Sequence, residues 1–572
     1  MTRIKLLLGT SLLLGCLNSS AQIKGIPTAL VPLDQRSFEQ AKPWVFWYFM
    51  HASYSKEGIA ADLKAMADNN IKGAYLAPIK GKTDPPLFNP PTESLTPEWW
   101  DMFGYIVAEA KKYGLKIALL PNDGFATAGG PWISPEKSMQ KLVYADTVVN
   151  SKGGRSPGIQ LPQPQTQQGY YEDIALFAMP LTHSPRKSFT ELVQVTNSYG
   201  EDLKRLAERG NKQNFAAAAP GWIQYAFERP FPCNSLKIEW TASNYQANRL
   251  QVWASDDGLN FRKITQLESP RMGWLDWDNG VTHLIPYTKA KYFRFVYDPT
   301  GSEPGAEDLD SGKWKPSLKL NGISLFEEAQ VHQIEGKTGE IWRVGKKSDP
   351  SAVVPEAIIG QQQLIRLPKP DQAGRVDLTL PAGRWKILRV GHTSTGHKNE
   401  TAGAGKGLEC DKLDAATVAF QFDQWFGAAK KHVDPHLSKE VLTVFHIDSW
   451  ECGSQNWTRS FPDEFLKRRG YDLTNYLPVL AGCFVNSVED SEAFLQDYRQ
   501  TISELLQENG YATLRRKADE YGVEFTAEAT APVMVGDGLA HFASTDRPMG
   551  EFWFRSPSHD KPADILDAIS GS

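Results

Sequence analysis

The sequence predicts an α/β fold: a (β/α) barrel, left incomplete and interrupted by a jelly-roll-like β-sandwich insertion. Three observations predict it. Apolar strands alternate with amphipathic helices up to about residue 148. The hydrophobic period then drops to two from 169 to about 390, within an insertion bounded at 149–395, and the strand–helix rhythm resumes over 396–572.

Residues 1–21 read as a signal peptide. Arg3 and Lys5 precede the short apolar run 6–14, and Ser19-Ser20-Ala21 supplies small residues for cleavage. Leu13-Leu14-Gly15-Cys16 also fits a lipoprotein box, so export to the periplasm or the cell surface is expected. No segment is long and apolar enough to read as a membrane span.

The first barrel portion is 22–148. An aromatic strand at 44–50 is followed by Ser55, which can cap a helix burying Ile59, Leu63 and Met66. A strand at 71–77 leads to Thr96-Pro97, a second helix start with proline at the first position, where its missing N–H costs nothing. Phe103, Ile106, Val107 and Ala110 line its buried face, Gly114 stops it, and 115–120 is a third strand. Strands alternating with helices imply parallel pairing.

Gly, Pro and Gln crowd 149–168 and mark a boundary. In the insertion, Ile223, Tyr225 and Phe227 alternate with polar neighbours, as do Leu236, Ile238 and Trp240, and Asp256-Asp257-Gly258 forms a turn. After 396 a helix is expected at 412–426, a strand at 442–448 and a helix at 463–469. A long helix at 489–521 buries Phe494, Tyr498, Ile502 and Leu505 and ends at Gly522. Strands at 523–528 and 549–554 and a helix from 564 to 569 complete the order. That makes about six strand–helix units, whereas eight close a barrel. The count predicts a barrel cut before closure, in a chain that natively continues beyond Ser572.

Composition narrows the partners. A net charge of -5 offers no field for phosphate, so nucleic acid is not expected. The cluster Lys467-Arg468-Arg469 reads as a solvated helix end. The 17 Trp suit sugar stacking and large cores equally. The five Cys show no close metal-binding spacing and read as isolated thiols.

Chemistry in such barrels sits at the C-terminal ends of strands. Here those ends carry Asn122-Asp123-Gly124, Asp448-Ser449-Trp450-Glu451, Glu528, and Glu551 with Phe552-Trp553. A buried carboxylate is costly unless paired or put to use. Glycoside hydrolysis needs two: an acid to protonate the leaving oxygen, and a base or nucleophile. Asp448 could equally cap a helix or hold an arginine, and Glu551 could pair with Arg547 or Arg555. Glu451 has no cation before Arg459, which makes it the strongest candidate. His446, inside a strand, reads as a core histidine. Gly129-Gly130-Pro131-Trp132 lacks the lysine of a phosphate loop and reads instead as a rigid aromatic loop lining a sugar pocket.

These residues resemble those of glycoside hydrolase family 106, the exported α-L-rhamnosidases. The likeness rests on Asp123-Gly124 with Gly129-Gly130-Pro131-Trp132-Ile133, Gly407-Leu408-Glu409-Cys410-Asp411-Lys412, Asp448-Ser449-Trp450-Glu451 and Asn456-Trp457-Thr458. Further matches are Arg468-Arg469-Gly470-Tyr471-Asp472-Leu473 with Tyr476-Leu477-Pro478, and Met549-Gly550-Glu551-Phe552-Trp553; together they span 40–572. The resemblance implies exo-hydrolysis of terminal α-L-rhamnose from plant-type polysaccharides, with inversion, and calcium near the sugar hydroxyls. It implies Glu451 as general acid and Glu551 as a stand-in for the second catalytic carboxylate. Asp123, Trp132, Asp448, Glu528 and Trp553 are then substrate-binding residues, with Glu528 and Glu551 as candidate metal ligands. It also implies a further strand past Ser572 bearing the partner carboxylate, which would leave this chain inactive alone. Two other readings remain open: a hydrolase of another deoxy sugar or a uronic acid, and a non-catalytic carbohydrate-binding protein in which the stretch 221–299 holds the glycan.

Overall fold

A computed structural model describes residues 38, 39, 41–120, 128–191, 193–240, 245–272, 280–302, 315–341, 343–399, 401, 403–528, 536–550 and 570. The expectations for 1–21 and Cys16 lie outside the described residues. So do Asp123, Glu551, Trp553, the remainder of the strand expected at 549–554, and the helix expected at 564–569.

Six parallel strands form one sheet whose spatial order follows the chain. They are β1 (Trp44–Met50), β2 (Gly73–Ile79), β3 (Lys116–Leu119), β4 (Leu442–Ile447), β5 (Glu524–Glu528) and β6 (Arg547–Met549). Parallel neighbours require crossovers, and helices supply most of them: α1 (Lys56–Asp68), α2 (Pro97–Lys112), α3 (Ala415–His432), α4 (Phe461–Arg469), α5 (Val488–Leu505) and α6 (Ala512–Tyr521). Among the described residues the sheet is open. β1 and β6 each pair on one side only, and no closed barrel forms.

Local chemistry sets the helix limits. Ser55 Oγ accepts from Gly58 N at 3.1 Å, and Thr96 Oγ1 accepts from Trp99 N at 3.2 Å. Asp414 Oδ2 accepts from Thr417 N at 3.0 Å, so α3 starts after Asp414. Lys412, expected inside that helix, therefore belongs to the loop before it. Gly470 and Gly522 end α4 and α6 in left-handed conformations. Between α5 and α6 a π-turn over Leu506–Tyr511 keeps the expected long helix continuous.

The pleat sends alternate side chains to opposite faces. From β2, Ala74 and Leu76 join Leu63, Phe103 and Phe426 in the core beneath the helices. Tyr75, Ala77 and Ile79 meet Ala118, Leu120 and Val444 on the other face. Burial on both sides explains the unbroken apolar runs that predicted these strands. At β1 the second face opens: Phe46, Tyr48 and Met50 are 39%, 49% and 44% exposed.

The chain between β3 and β4 builds two β units with separate cores. The first has Gln140–Ser151, Gly383–Ser394, Glu172–Leu181 and Ile365–Leu367 side by side, with Gly154–Gln160 paired to Arg375–Leu380. Leu161, Leu176, Ala178, Leu378, Trp385 and Ile387 fill it. The second arranges Val193–Asn197, Gly221–Glu239, Val281–Tyr297, Gln251–Ser255, Arg262–Gln266 and Gly322–Phe326 around Tyr225, Phe227, Ile238, Phe293 and Phe295. The antiparallel pairing begins at Gln140, ahead of the expected boundary at 149. The Gly- and Pro-rich 154–160 is a strand, since its polar outer face needs no apolar residues.

Two of the sequence motifs pair with each other. Leu408 and Glu409 lie antiparallel to Gly130 and Gly129. A Cβ on Gly407 would sit 2.0 Å from the Gly130 carbonyl, a backbone atom that cannot give way. The glycines thus serve close backbone approach. Gly407→Ala is expected to cost about 1–3 kcal/mol or more by overpacking, read by urea denaturation. An unchanged midpoint would contradict the tight crossing.

In the basic cluster only Lys467 is the expected solvated helix end. Arg468 pairs with Glu508 at 2.6 Å and Glu464 at 3.1 Å, and Arg469 with Glu504 at 2.5 Å, tying α4 to the helix beyond it. Cys233 and Cys410 are buried, and Cys452 and Cys483 partly so. No helix among the described residues is long and apolar enough to cross a membrane.

His541, on the short helix Gly538–Phe542, packs 3.7 Å from the Tyr511 ring and is buried with no hydrogen-bond partner for either nitrogen. Burial pushes its pKa down to about 3. Below pH 6.5 the unfolded chain takes a proton that the folded chain refuses, so this share of stability is lost as pH falls from 6.5 towards 3. At pH 5 it amounts to about 2 kcal/mol. His541→Leu should flatten the acid limb of a stability–pH curve by about that amount; parallel curves for both proteins would refute the assignment.

Candidate functional site

The site forms where β4 and β5 end. Val444 and His446 face away from the helices, and by the same alternation so does Asp448 just past the strand. Thr526 and Glu528 reach the same face from β5, paired in register with β4. The backbone N–H of Ser449 lies between the two carboxyls, 3.1 Å from Asp448 Oδ1 and 3.2 Å from Glu528 Oε2. Asp448 and Glu528 also share a hydrogen bond. Burial pushes the Asp448 carboxyl well above the usual carboxylate range. The hydrogen bond to Glu528, that group's charge, and the charge of Glu451 push it the same way. The protonated form of Asp448 is therefore favoured beside Glu528.

Glu451 is half-buried in the loop that follows, and Ser449 Oγ donates to its Oε1 at 2.9 Å. The loop is anchored beyond it. Leu142 N donates to Asn456 Oδ1 at 2.8 Å, Asn456 Nδ2 to the Thr338 carbonyl at 3.0 Å, and Ser454 Oγ to the Glu340 carbonyl. The first β unit and the segment that follows the second thus hold the loop that carries Glu451.

An aromatic strip flanks the carboxyls. Phe46 and Tyr48 stack at 5.8 Å on β1, Phe46 meets Tyr75 at 5.3 Å, and Tyr75 meets His446 at 4.6 Å. Burial and, after it, the Asp448 and Glu528 charges raise the Tyr48 pKa. Phe46, Tyr48 and Tyr75 were not singled out from sequence. Their signal was the alternation within Trp44-Val45-Phe46-Trp47-Tyr48-Phe49-Met50, whose even-numbered members face the acids. His446 is buried, its Nδ1 2.8 Å from Thr526 Oγ1, and burial pushes its pKa down to about 3. Its Nε2 has no hydrogen-bond partner, so it is not the fully satisfied core histidine expected.

Three of the candidate residues thus come together: Asp448, Glu451 and Glu528. Trp132 does not join them. Its Nε1 donates to Gln421 Oε1 at 2.6 Å and its ring tilts over Trp425, so it packs against α3 in the helix layer. Its place after Gly130 is set by the crossing with Gly407, not by a sugar pocket. Asp123, Glu551 and Trp553 lie outside the described residues. No group of three or more His, Cys, Asp and Glu suited to a metal gathers among the described residues.

Half-buried acids beside exposed rings, at one end of a parallel α/β sheet, are an arrangement that suits glycoside hydrolysis. The chain belongs to glycoside hydrolase family 106, the α-L-rhamnosidases, which it matches over residues 35–570. Its fold is similar to that of a rhamnosidase from Novosphingobium sp. PP1Y, with a TM-score of 0.73 and 25% identity, over 94% of this chain and 51% of that one. It is also 28% identical over 530 residues to a Formosa agariphila protein that carries the provisional name beta-glucuronidase, covering 91% of this chain and 32% of the relative. The chain thus spans about half and a third of these two proteins.

Proposed function

We propose that the protein is an exported exo-hydrolase that releases terminal α-L-rhamnose from plant-type polysaccharides or glycosides, with inversion at the anomeric carbon. The observation that carries this reading is the convergence of Asp448, Glu451 and Glu528 at the strand ends of a chain of this family. The open parallel sheet is then part of a barrel wall. Glu451 is the general acid, with Ser449 orienting its carboxyl for proton delivery to the leaving oxygen. Glu551 is the candidate for the second carboxylate, which activates water. Phe46 and Tyr48 offer flat apolar surface for a deoxy sugar, whose C6 methyl favours contact with rings.

Asp448 and Glu528 would hold calcium. Burial and the Glu528 carboxyl beside it favour the proton on Asp448, and a hard divalent ion taking that proton's place would suit the two carboxyls. They supply only part of its roughly six to eight oxygens, leaving places for water and vicinal sugar hydroxyls. When bound, the ion would supply positive charge that grips and orients those hydroxyls.

The name of the Formosa agariphila relative favours a second reading, hydrolysis of a terminal uronic acid. Rates on aryl α-L-rhamnoside and aryl β-glucuronide separate the two. Release of rhamnose alone, as the anomer of opposite configuration by NMR, supports the first. Release of glucuronate, retention, or, in the full-length protein, glycan binding without any hydrolysis overturns it.

A further inference from the structure

The stretch Gly407-Leu408-Glu409-Cys410-Asp411-Lys412 has no part in the function proposed above. Yet three of its charged residues are buried: Glu409 is 0%, Lys412 4% and Asp411 5% exposed. Buried charges persist only when paired or hydrogen-bonded, so their partners show what the stretch is organised around.

Lys412 Nζ lies 2.6 Å from Glu409 Oε2 and 4.7 Å from the centroid of the Trp450 ring, the residue just before Glu451. Burial works against its charge, but Glu409 more than offsets this and raises its pKa, so the ammonium persists. Glu409 Oε2 also accepts from Ala128 N at 3.1 Å, which brings the chain after β3 onto the same pair. Glu409 Oε1 is buried without a hydrogen-bond partner, and a Cβ on Gly129 would meet it at 2.4 Å. Asp411 holds the other side of the loop. Its Oδ2 accepts from Thr458 Oγ1 at 2.6 Å, its Oδ1 accepts from Gln455 Nε2, and Lys412 N donates to Gln455 Oε1 at 3.0 Å.

We infer that Glu409, Asp411 and Lys412 are positioning residues for Glu451, clamping its loop on both sides, Lys412 through Trp450 and Asp411 through Gln455 and Thr458. The inference rests on Glu451 being the acid. The segment from Asp448 to Gln455 has no regular secondary structure, so backbone pairing cannot aim the carboxyl. Proton delivery is sensitive to displacements of about 1 Å, and a buried charge pair tolerates little displacement. The same pair binds the loops that follow β3 and β4, keeping two neighbouring strand ends in register at the site.

Hydrogen–deuterium exchange on the protein tests the clamp. Lys412→Met removes the cation. The double variant Glu409→Gln/Lys412→Met replaces the pair with neutral side chains of similar size and leaves no unpaired charge. In both, peptides covering 448–458 should exchange more than about tenfold faster, while β2, β4 and β5 keep their protection. In the full-length protein, kcat on an aryl α-L-rhamnoside should fall about tenfold or more with KM within about twofold, and Lys412→Arg should recover part of the loss. Should the double variant fail to fold, Asp411→Asn carries the same exchange test over 454–458. Wild-type exchange across 448–458 in a folded variant overturns the clamp, and the exchange result decides alone. The acid assignment fails separately: an unchanged rate in Glu451→Gln removes Glu451 from the chemistry and leaves the exchange data standing.

Discussion

Replacing Glu451 by glutamine should lower kcat on an aryl α-L-rhamnoside by about 10²–10⁴-fold in the full-length protein. The amide keeps the volume and can still accept from Ser449 Oγ, which now donates to Oε1 at 2.9 Å. It has no proton to give. The loss should therefore depend on the leaving group. A poorly acidic phenol needs the proton and should show the full effect. A strongly acidic phenol departs as the anion and should show much less. Steady-state kinetics on the two aglycones checks this, with rhamnose binding as the control for folding. Equal losses on both point to a damaged site, and undiminished hydrolysis removes Glu451 from the mechanism. Ser449→Ala should cost less, since it leaves the acid in place and removes only the hydrogen bond that aims it.

Calcium should raise the thermal stability of the protein, and the gain should vanish in Asp448→Asn/Glu528→Gln. An ion bound only by the folded state stabilises it by about 2.7 kcal/mol at one hundred times its Kd. Without the ion, burial and the neighbouring Glu528 favour the protonated form of Asp448. The amide pair keeps a donor and an acceptor in the same places, so the variant should fold, yet it offers no charge to a cation. Calorimetric melts with calcium and with chelator make the comparison. Equal calcium shifts in both proteins place the ion elsewhere, and no shift in the wild type removes calcium from the reading.

The strands and helices of the parallel sheet were legible because their signals are local. Ser55, Thr96, Gly470 and Gly522 mark helix ends through bonds and backbone angles set within a few residues. The apolar runs of β2 and β3 reflect burial on two faces. The β units were legible as strands but not as sheets. A period of two identifies a pleat and says nothing about which distant strand pairs with it, so two cores read as one. The start of α3 was misplaced because Lys412 is a good helix former, whereas Asp414, two residues later, caps the helix.

The site divides in the same way. That acids crowd the ends of β4 and β5 could be read from residues in one short run. Trp132 was assigned to the sugar because Gly-Gly-Pro-Trp looks like a loop. Its ring instead lies against Gln421, 289 residues away. The aromatic strip of β1, the orphaned nitrogen of His446 and the clamp of Glu409, Asp411 and Lys412 depend on partners far along the chain. Periodicity and capping act over a few residues and reveal the elements, while the short motifs spread along the chain carry the resemblance to the family. Which carboxyls meet, which rings lie near them and what holds the loop of Glu451 depend on contacts that exist only once distant strands are paired, and no local pattern encodes those.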